Sequence, residues 1–296
     1  MRAEDLLIAN LETAVTERGE PWPKTYRFRV SPALIDPLKD SGIDLVSLTN
    51  NHVFDYRETG FLDTLDNLKA GGLPYVGAGK NFAEAAQPWA GTVRGEELRV
   101  WALGDYPVER TGFSGAKDAA VQRGKPGILW ADERALSELA RQFKELDARF
   151  GVDGVCKIVV VHAGTEYEGG CNALQRELYH RLVNMGADIV IGHHPHVLEP
   201  IEWYQGAPHA GLIAYSLGNY LFDGMNDIPR ADESVLLSIK IERGRAVAIR
   251  LDGVLLTGPS LKLDASGAIV KRLLAMSPTV RGMVEGVTSR FPTAAP

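Results

Sequence analysis

Five strand-length apolar runs recur along this chain, and amphipathic helical stretches separate them. The runs are "DLLIANLE", "IDLVSLTNNH", "LRVWALGD", "CKIVVVHAG" and "ADIVIGHHPH". Each is long enough for a strand and too short for a buried helix. Between them, "RETGFLDTLDNLKAGG" sets Phe61, Leu62, Leu65 and Leu68 on one helical face and stops at Gly71-Gly72. "DERALSELARQFKELDARFG" does the same with Leu136, Leu139, Phe143, Leu146 and Phe150, with Asp132 as N-cap and Gly151 as stop. "ALQRELYHRLVNMG" offers Leu174, Leu178, Leu182 and Met185. Strand and helix in alternation predict an α/β layered fold.

The later part of the chain reads differently. "ESVLLSIKIERGRAVAIRLDGVLLT" holds two runs meeting at "ERGR", which predicts an antiparallel hairpin. After Gly258-Pro259, "GAIVKRLLAMSPTVRGMVEGV" predicts a helical extension packed on one main domain of residues 1–258, and "FPTAAP" is a short tail.

Composition excludes several functions. The net charge is -6 and no Lys/Arg-rich block occurs, so a broad nucleic-acid-binding face is not expected. Neither a membrane-length apolar stretch nor a signal peptide is legible. Two cysteines cannot build a disulfide scaffold or a Cys-x-x-Cys zinc site; Cys156 reads as core and Cys171 as part of a Gly-rich loop.

The polar residues of the apolar runs gather at their C-terminal ends: Asn10-Leu11-Glu12, Asn50-Asn51-His52, His162, and His193-His194-Pro195-His196. In α/β sheets ligands bind outside the carboxyl ends of strands. Three of seven histidines in four consecutive positions have no packing rationale. Imidazole with carboxylate and amide oxygen suits Zn²⁺, Mn²⁺, Fe or Co²⁺. A His-x-His pair can serve two neighbouring ions, and a carboxylate such as Glu12 can bridge them. His180 lies off the apolar face of its helix and reads as a surface residue. His209, in "QGAPHAG", reads as a turn residue.

"NLET", "SLTNNHVFDY", "VVHAGTEYE", "IGHHPHVLEPIEWYQG" and "AYSLGNYLFD" stand in the order found in the bacterial CapA family, which the chain resembles from about Glu4 to Asp223. That family is associated with capsule synthesis, specifically of poly-γ-glutamate, within the calcineurin-like metallophosphatase superfamily. The resemblance implies a two-sheet β-sandwich flanked by helices and two divalent metal ions (Mn, Zn, Fe or Mg). It implies Glu12 as bridging ligand, Asn51, His162 and His194 as ligands of one metal, and His196 as ligand of the other. His52 would be the catalytic histidine. His193, Asp55, Glu166 and Asn219 would support the site or touch substrate.

Two departures stand out. Arg57 follows where the family usually has a glycine, and the family's opening strand ending in Gly-Asp is not present before Glu12. The Gly104-Asp105 pair comes after the Asn51-His52 motif and is no substitute. The expectation is therefore a chain lacking the family's first strand, with coding sequence upstream of Met1 that restores it and carries a signal or anchor; the protein would then be associated with the cell envelope, and otherwise cytoplasmic. The implied function is phosphoester-directed, metal-dependent hydrolysis. Its rivals are a non-catalytic accessory subunit of a polyglutamate synthesis and export complex, and amide hydrolysis of a γ-glutamyl chain. The partner in each case is an anionic small molecule or polymer.

Overall fold

The computed structural model describes residues 4–222, 227–257 and 260–285, and the chain divides into two compact units at Ala163/Gly164. The expected boundary at Gly258-Pro259 and the "FPTAAP" tail lie outside the described residues.

The first unit runs β1 (Ile8–Asn10), β2 (Ala14–Val15), β3 (Arg29–Val30), α1 (Ile35–Asp40), β4 (Leu45–Ser47), α2 (Arg57–Ala70), β5 (Tyr75–Val76), β6 (Ala78–Gly79), α3 (Phe82–Ala85), β7 (Trp89–Val93), β8 (Glu96–Asp105), β9 (Gly127–Ile128), α4 (Glu133–Phe150) and β10 (Cys156–Ala163). Parallel pairing joins β1 to β4 and β4 to β5, with Asn10 opposite Ser47. Strand β8 pairs parallel with β10 and antiparallel with β7. All eight residues of β10 are buried, as a parallel strand covered on both faces requires. Its one lysine, Lys157, is accommodated by Asp147, whose Oδ1 lies 2.6 Å from Nζ. Helix α2 buries Phe61, Leu65 and Leu68 at helical spacing. They join Leu11, Val15, Val46, Leu48 and Phe54 in one core. Helix α4 begins and ends as the sequence predicts: the Asp132 carboxylate accepts from the Ala135 N–H, and Gly151 closes the helix at φ 83°.

The second unit runs α5 (Ala173–Met185), β11 (Ile189–His193), β12 (Ile201–Gln205), β13 (Ala210–Ala214), β14 (Glu233–Glu242), β15 (Arg245–Thr257), β16 (Ser260–Leu263) and α6 (Ala268–Met276). Strand β13 lies between β11, parallel, and β12, antiparallel. Strands β14, β15 and β16 form an antiparallel meander. Its first turn places Arg243 and Gly244 at φ 52° and 72°, the left-handed pair a tight hairpin needs.

Three residues differ from expectation. Leu174 is exposed, and Gln175 takes the buried place beside Leu178 and Leu182. The cause is the capping box at the start of α5: Asn172 accepts from the Gln175 N–H and Gln175 from the Asn172 N–H, which turns that face inward. His180 is no simple surface residue. It stacks on Tyr204 at 3.8 Å and its Nε2 lies 3.0 Å from Glu202. His209 is buried, with Nε2 2.9 Å from Asp188 and 2.8 Å from the Arg245 guanidinium. Among the described residues no helix is long and apolar enough to cross a membrane.

Candidate functional site

In the first unit three strand ends carry the predicted polar residues. Beyond β1 and β4, Asn50 ties two loops together. Its Nδ2 donates to Asn10 Oδ1 and the Leu11 carbonyl, and its Oδ1 accepts from the His52 and Val53 N–H groups. That leaves Asn51 and Glu12 to face the end of β10. His162 Nε2 lies 3.0 Å from Asn51 Oδ1 and 3.6 Å from Glu12 Oε1. Asn51 Nδ2 donates to Glu109 Oε1 at 3.2 Å, which directs the amide oxygen toward His162. Asn10 Nδ2 donates to Glu12 Oε2 at 2.9 Å.

A carboxylate oxygen, an amide oxygen and an imidazole nitrogen thus converge within this unit. Ligands about 2.1 Å from a divalent ion lie about 3 Å from one another. The spacing and the mixed O/N donor set therefore fit such an ion. Asp105 takes no part in this convergence. The register sets it opposite Ala163 and sets Gly104 opposite His162, so the pleat turns Asp105 to the other face of the strands.

His52 sits in a second layer of contacts. Its Nδ1 lies 2.7 Å from Asp55 Oδ2, and its ring packs against Phe28 with centroids 4.2 Å apart. Asp55 is fully buried and also accepts from the Phe28 N–H and from Lys24. The Lys24 ammonium is itself buried. It donates to Asp55 Oδ1 at 2.6 Å, to the Asn51 carbonyl at 2.6 Å, and lies 2.7 Å from Glu109 Oε1. Lys24, Glu109 and Phe28 were not foreseen.

In the second unit, β11 leads into the histidine cluster through Gly192. A Cβ there would stand 1.9 Å from the Tyr215 carbonyl oxygen, so only glycine fits. His194 and His196 follow with φ of 107° and 60°, backbone that non-glycine residues rarely adopt. Such strain collects at functional sites. His196 Nδ1 lies 2.8 Å from Asn219 Oδ1. Asn219 spends its own N–H groups on the carbonyls of His196 and Ala231, so its oxygen must face the ring. Nδ1 of His196 therefore donates to Asn219, the kind of contact that orients the ring of a metal-ligating histidine. Tyr167 stacks over the same ring at 5.7 Å. Glu166, beside it, is exposed in the turn that follows Ala163.

Two groups are shifted, the half-buried His193 and the buried Glu199. Burial pushes the His193 imidazole down to about 4, which keeps it neutral. Burial raises the Glu199 carboxyl to about 7 against a lowering hydrogen bond from Gln175.

Comparisons with known proteins agree with the motif order. The family model described as bacterial capsule synthesis protein PGA_cap matches residues 1–224. The "PGA biosynthesis protein CapA" of Bacillus subtilis is 34% identical over 227 residues, covering 75% of this chain and 54% of that protein. The "Capsule biosynthesis protein CapA" of Bacillus anthracis is 34% identical over 200 residues, covering 68% and 45%. A Mycobacterium tuberculosis protein named "Probable polyglutamine synthesis accessory protein" is 30% identical over 222 residues, covering 75% and 56%. The chain thus spans about half the length of these curated relatives. A crystal structure of a hypothetical protein from Thermus thermophilus shares the fold, with TM-score 0.50 and 21% identity over 88% of each chain.

Proposed function

Because the chain belongs to the family of bacterial capsule synthesis proteins, we propose that it is a divalent-metal-dependent hydrolase, phosphoester-directed, working in the synthesis of a poly-γ-glutamate capsule. Glu12, Asn51 and His162 in the first unit and His194 and His196 in the second are the proposed metal ligands. The observation that carries the reading is the convergence of Glu12, Asn51 and His162, whose atoms stand at ligand spacing. When bound, the ions polarise a phosphoryl oxygen and lower the pKa of water toward neutrality.

The chain's own residues do the rest. His52, held through Nδ1 by Asp55, presents Nε2 as the acid that protonates the leaving oxygen. Lys24 and Glu109 hold Asn51 and Asp55 in place, so the two roles keep a fixed separation. Asn219 and Tyr167 fix the ring of His196. His193 and Glu166 are kept as supporting or substrate-touching residues.

The test is turnover of an aryl phosphodiester with added Mn²⁺, with metal content measured on the same sample. Turnover that Glu12→Gln and His52→Ala abolish is the expected result. A protein that binds metal and a glutamate polymer without turning over any phosphoester or γ-glutamyl amide would instead be an accessory subunit of the polymer-synthesis machinery. The printed name of the mycobacterial relative favours that second reading.

A further inference from the structure

Glu12 is held from within its own strand end. Asn10, the last residue of β1, donates through Nδ2 to Glu12 Oε2 at 2.9 Å and brings the same nitrogen to 3.5 Å from His162 Nδ1. One side chain therefore touches two of the proposed ligands, and the functional reading above gives it no role.

The direction of the Asn10–Glu12 hydrogen bond follows from the backbone. The N–H groups of His52 and Val53 both donate to Asn50 Oδ1, at 3.1 and 2.9 Å. A backbone N–H can only donate, so the oxygen of the Asn50 amide is fixed there and its nitrogen points the other way. Asn50 Nδ2 donates to the Leu11 carbonyl at 2.9 Å and to Asn10 Oδ1 at 3.1 Å. That fixes the Asn10 amide in turn: with its oxygen on Asn50, its nitrogen must face Glu12. Turning the Asn10 amide over would set nitrogen against nitrogen at Asn50 and oxygen against oxygen at Glu12. Asn50 is fully buried, where such mismatches are costly. Two backbone N–H groups thus dictate, through two asparagines, that an N–H is presented to one particular carboxylate oxygen.

We infer that Asn10 is a positioning residue that holds Glu12 as a one-oxygen ligand, and that it thereby biases the proposed centre toward ions such as Mn²⁺ or Zn²⁺ and away from Ca²⁺. The inference rests on the metal-binding part of the functional reading above. Oε2 accepts the Asn10 N–H, and Oε1 is the oxygen 3.6 Å from His162 Nε2. An N–H donor on Oε2 competes with a cation for that oxygen. Ca²⁺ gathers many oxygens at bonds of about 2.3–2.6 Å and readily takes both oxygens of one carboxylate. With Asn10 in place, the first unit presents one carboxylate oxygen, the Asn51 amide oxygen and a His162 nitrogen. That mixed set suits Mn²⁺ or Zn²⁺ instead. Removing the Asn10 amide lets Oε2 turn and close a two-oxygen bite.

The test is calorimetry of the full chain, stripped of metal by EDTA and dialysis, titrated with MnCl₂ and separately with CaCl₂. Asn10→Leu keeps the size of the side chain and removes the donor. It should weaken Mn²⁺ binding about 10–100-fold, the usual cost of losing a group that orients a ligand. Ca²⁺ binding should hold or tighten, so the preference for Mn²⁺ over Ca²⁺ should fall at least about tenfold. Asn10→Ser keeps a donor on a shorter arm. It should fall between the parent and Asn10→Leu, and it carries the test if the leucine does not pack. Asn184→Leu, whose amide meets Tyr204 in the second unit, should match the parent for both ions. Thermal unfolding in EDTA checks that each variant folds. Parallel loss of both ions, with the preference unchanged, would make Asn10 a merely structural residue and overturn the inference. So would Mn²⁺ binding by Asn10→Leu equal to that of the parent. A parent chain that binds no Mn²⁺ would remove the metal reading itself and the inference with it. The expected change of preference in a chain that turns over no phosphoester would sink the hydrolase reading and leave the role of Asn10 standing.

Discussion

Replacing Glu199 by Gln perturbs a buried carboxyl with little change of shape. Glu199 is 1% exposed; Oε2 accepts from Gln175 Nε2 at 2.7 Å, and Oε1 is buried with no hydrogen-bond partner. Burial raises the carboxyl from 4.5 to about 7, Glu168 adds to the rise, and the Gln175 hydrogen bond opposes it. A carboxyl that holds its proton more tightly folded than unfolded stabilises the fold fully below about 4.5. That contribution is lost as pH climbs through about 7. The span corresponds to about 3 kcal/mol. Glutamine does not titrate, so the wild-type stability minus the Glu199→Gln stability should fall by about 3 kcal/mol between about pH 4.5 and about pH 8. The amide places an extra N–H where Oε1 lacks a partner, a cost of about 1–3 kcal/mol at every pH. The slope of the difference, not its sign, is therefore the test. Urea unfolding of both proteins in EDTA, followed by tryptophan fluorescence across this range, measures it. A difference that does not vary with pH would refute the reasoning, since Glu199 would then be solvated or already ionised in the folded chain.

Lys24→Met should destabilise by about 3–5 kcal/mol, because Asp55 loses its buried cation and Glu109 loses a partner; thermal unfolding within a degree of wild type would contradict the network. His194→Ala should lower the metal bound after dialysis well below that of His180→Ala, as measured by elemental analysis, since His180 is held by Glu202 and Tyr204 and is free for no ion; equal metal in both variants would remove His194 from the ligand set. Asn219→Leu should weaken Mn²⁺ binding by calorimetry about 10–100-fold with the fold retained, the usual cost of losing a group that orients a ligand.

The sequence exposes those features that have a period or an abrupt end. The five apolar runs became strands β1, β4, β8, β10 and β11, because their length and β-branched content leave few alternatives. Asp132 and Gly151 bracket α4 because a cap is a local bond that neighbouring residues reveal. Asn51 and His162 come together because both stand at strand ends, Asn51 in the loop after β4 and His162 as the penultimate residue of β10. Lys24 was illegible for the opposite reason. It sits in an irregular loop, and its partners Asp55 and Glu109 are 31 and 85 positions away. Leu174 misled because a helical wheel gives every apolar residue the same weight, whereas the first turn of α5 is oriented by its capping box. His209 reads as a turn residue and does lie in the loop between β12 and β13, but it is buried there because Asp188 and Arg245, 21 and 36 positions away, meet its ring.

The different roles proposed for His52 and His196 can be argued from their partners. Both rings have Nδ1 engaged by a side-chain oxygen, so that contact alone would make them equivalent. The partner of His52 is a carboxylate, whose oxygen lies 2.7 Å from Nδ1. The partner of His196 is an amide oxygen, fixed in place by two carbonyls; it orients the ring and offers no charge to an imidazolium. An acid needs the first arrangement and a metal ligand the second, since a protonated Nε2 cannot coordinate. Lys24 sharpens the contrast. By engaging one oxygen of Asp55, it holds that carboxylate with its other oxygen turned toward His52. Asn219 keeps its oxygen on His196 with no charge at all. Under the proposed function, one aspartate three positions from His52 and one asparagine 23 positions from His196 would divide proton transfer from metal binding.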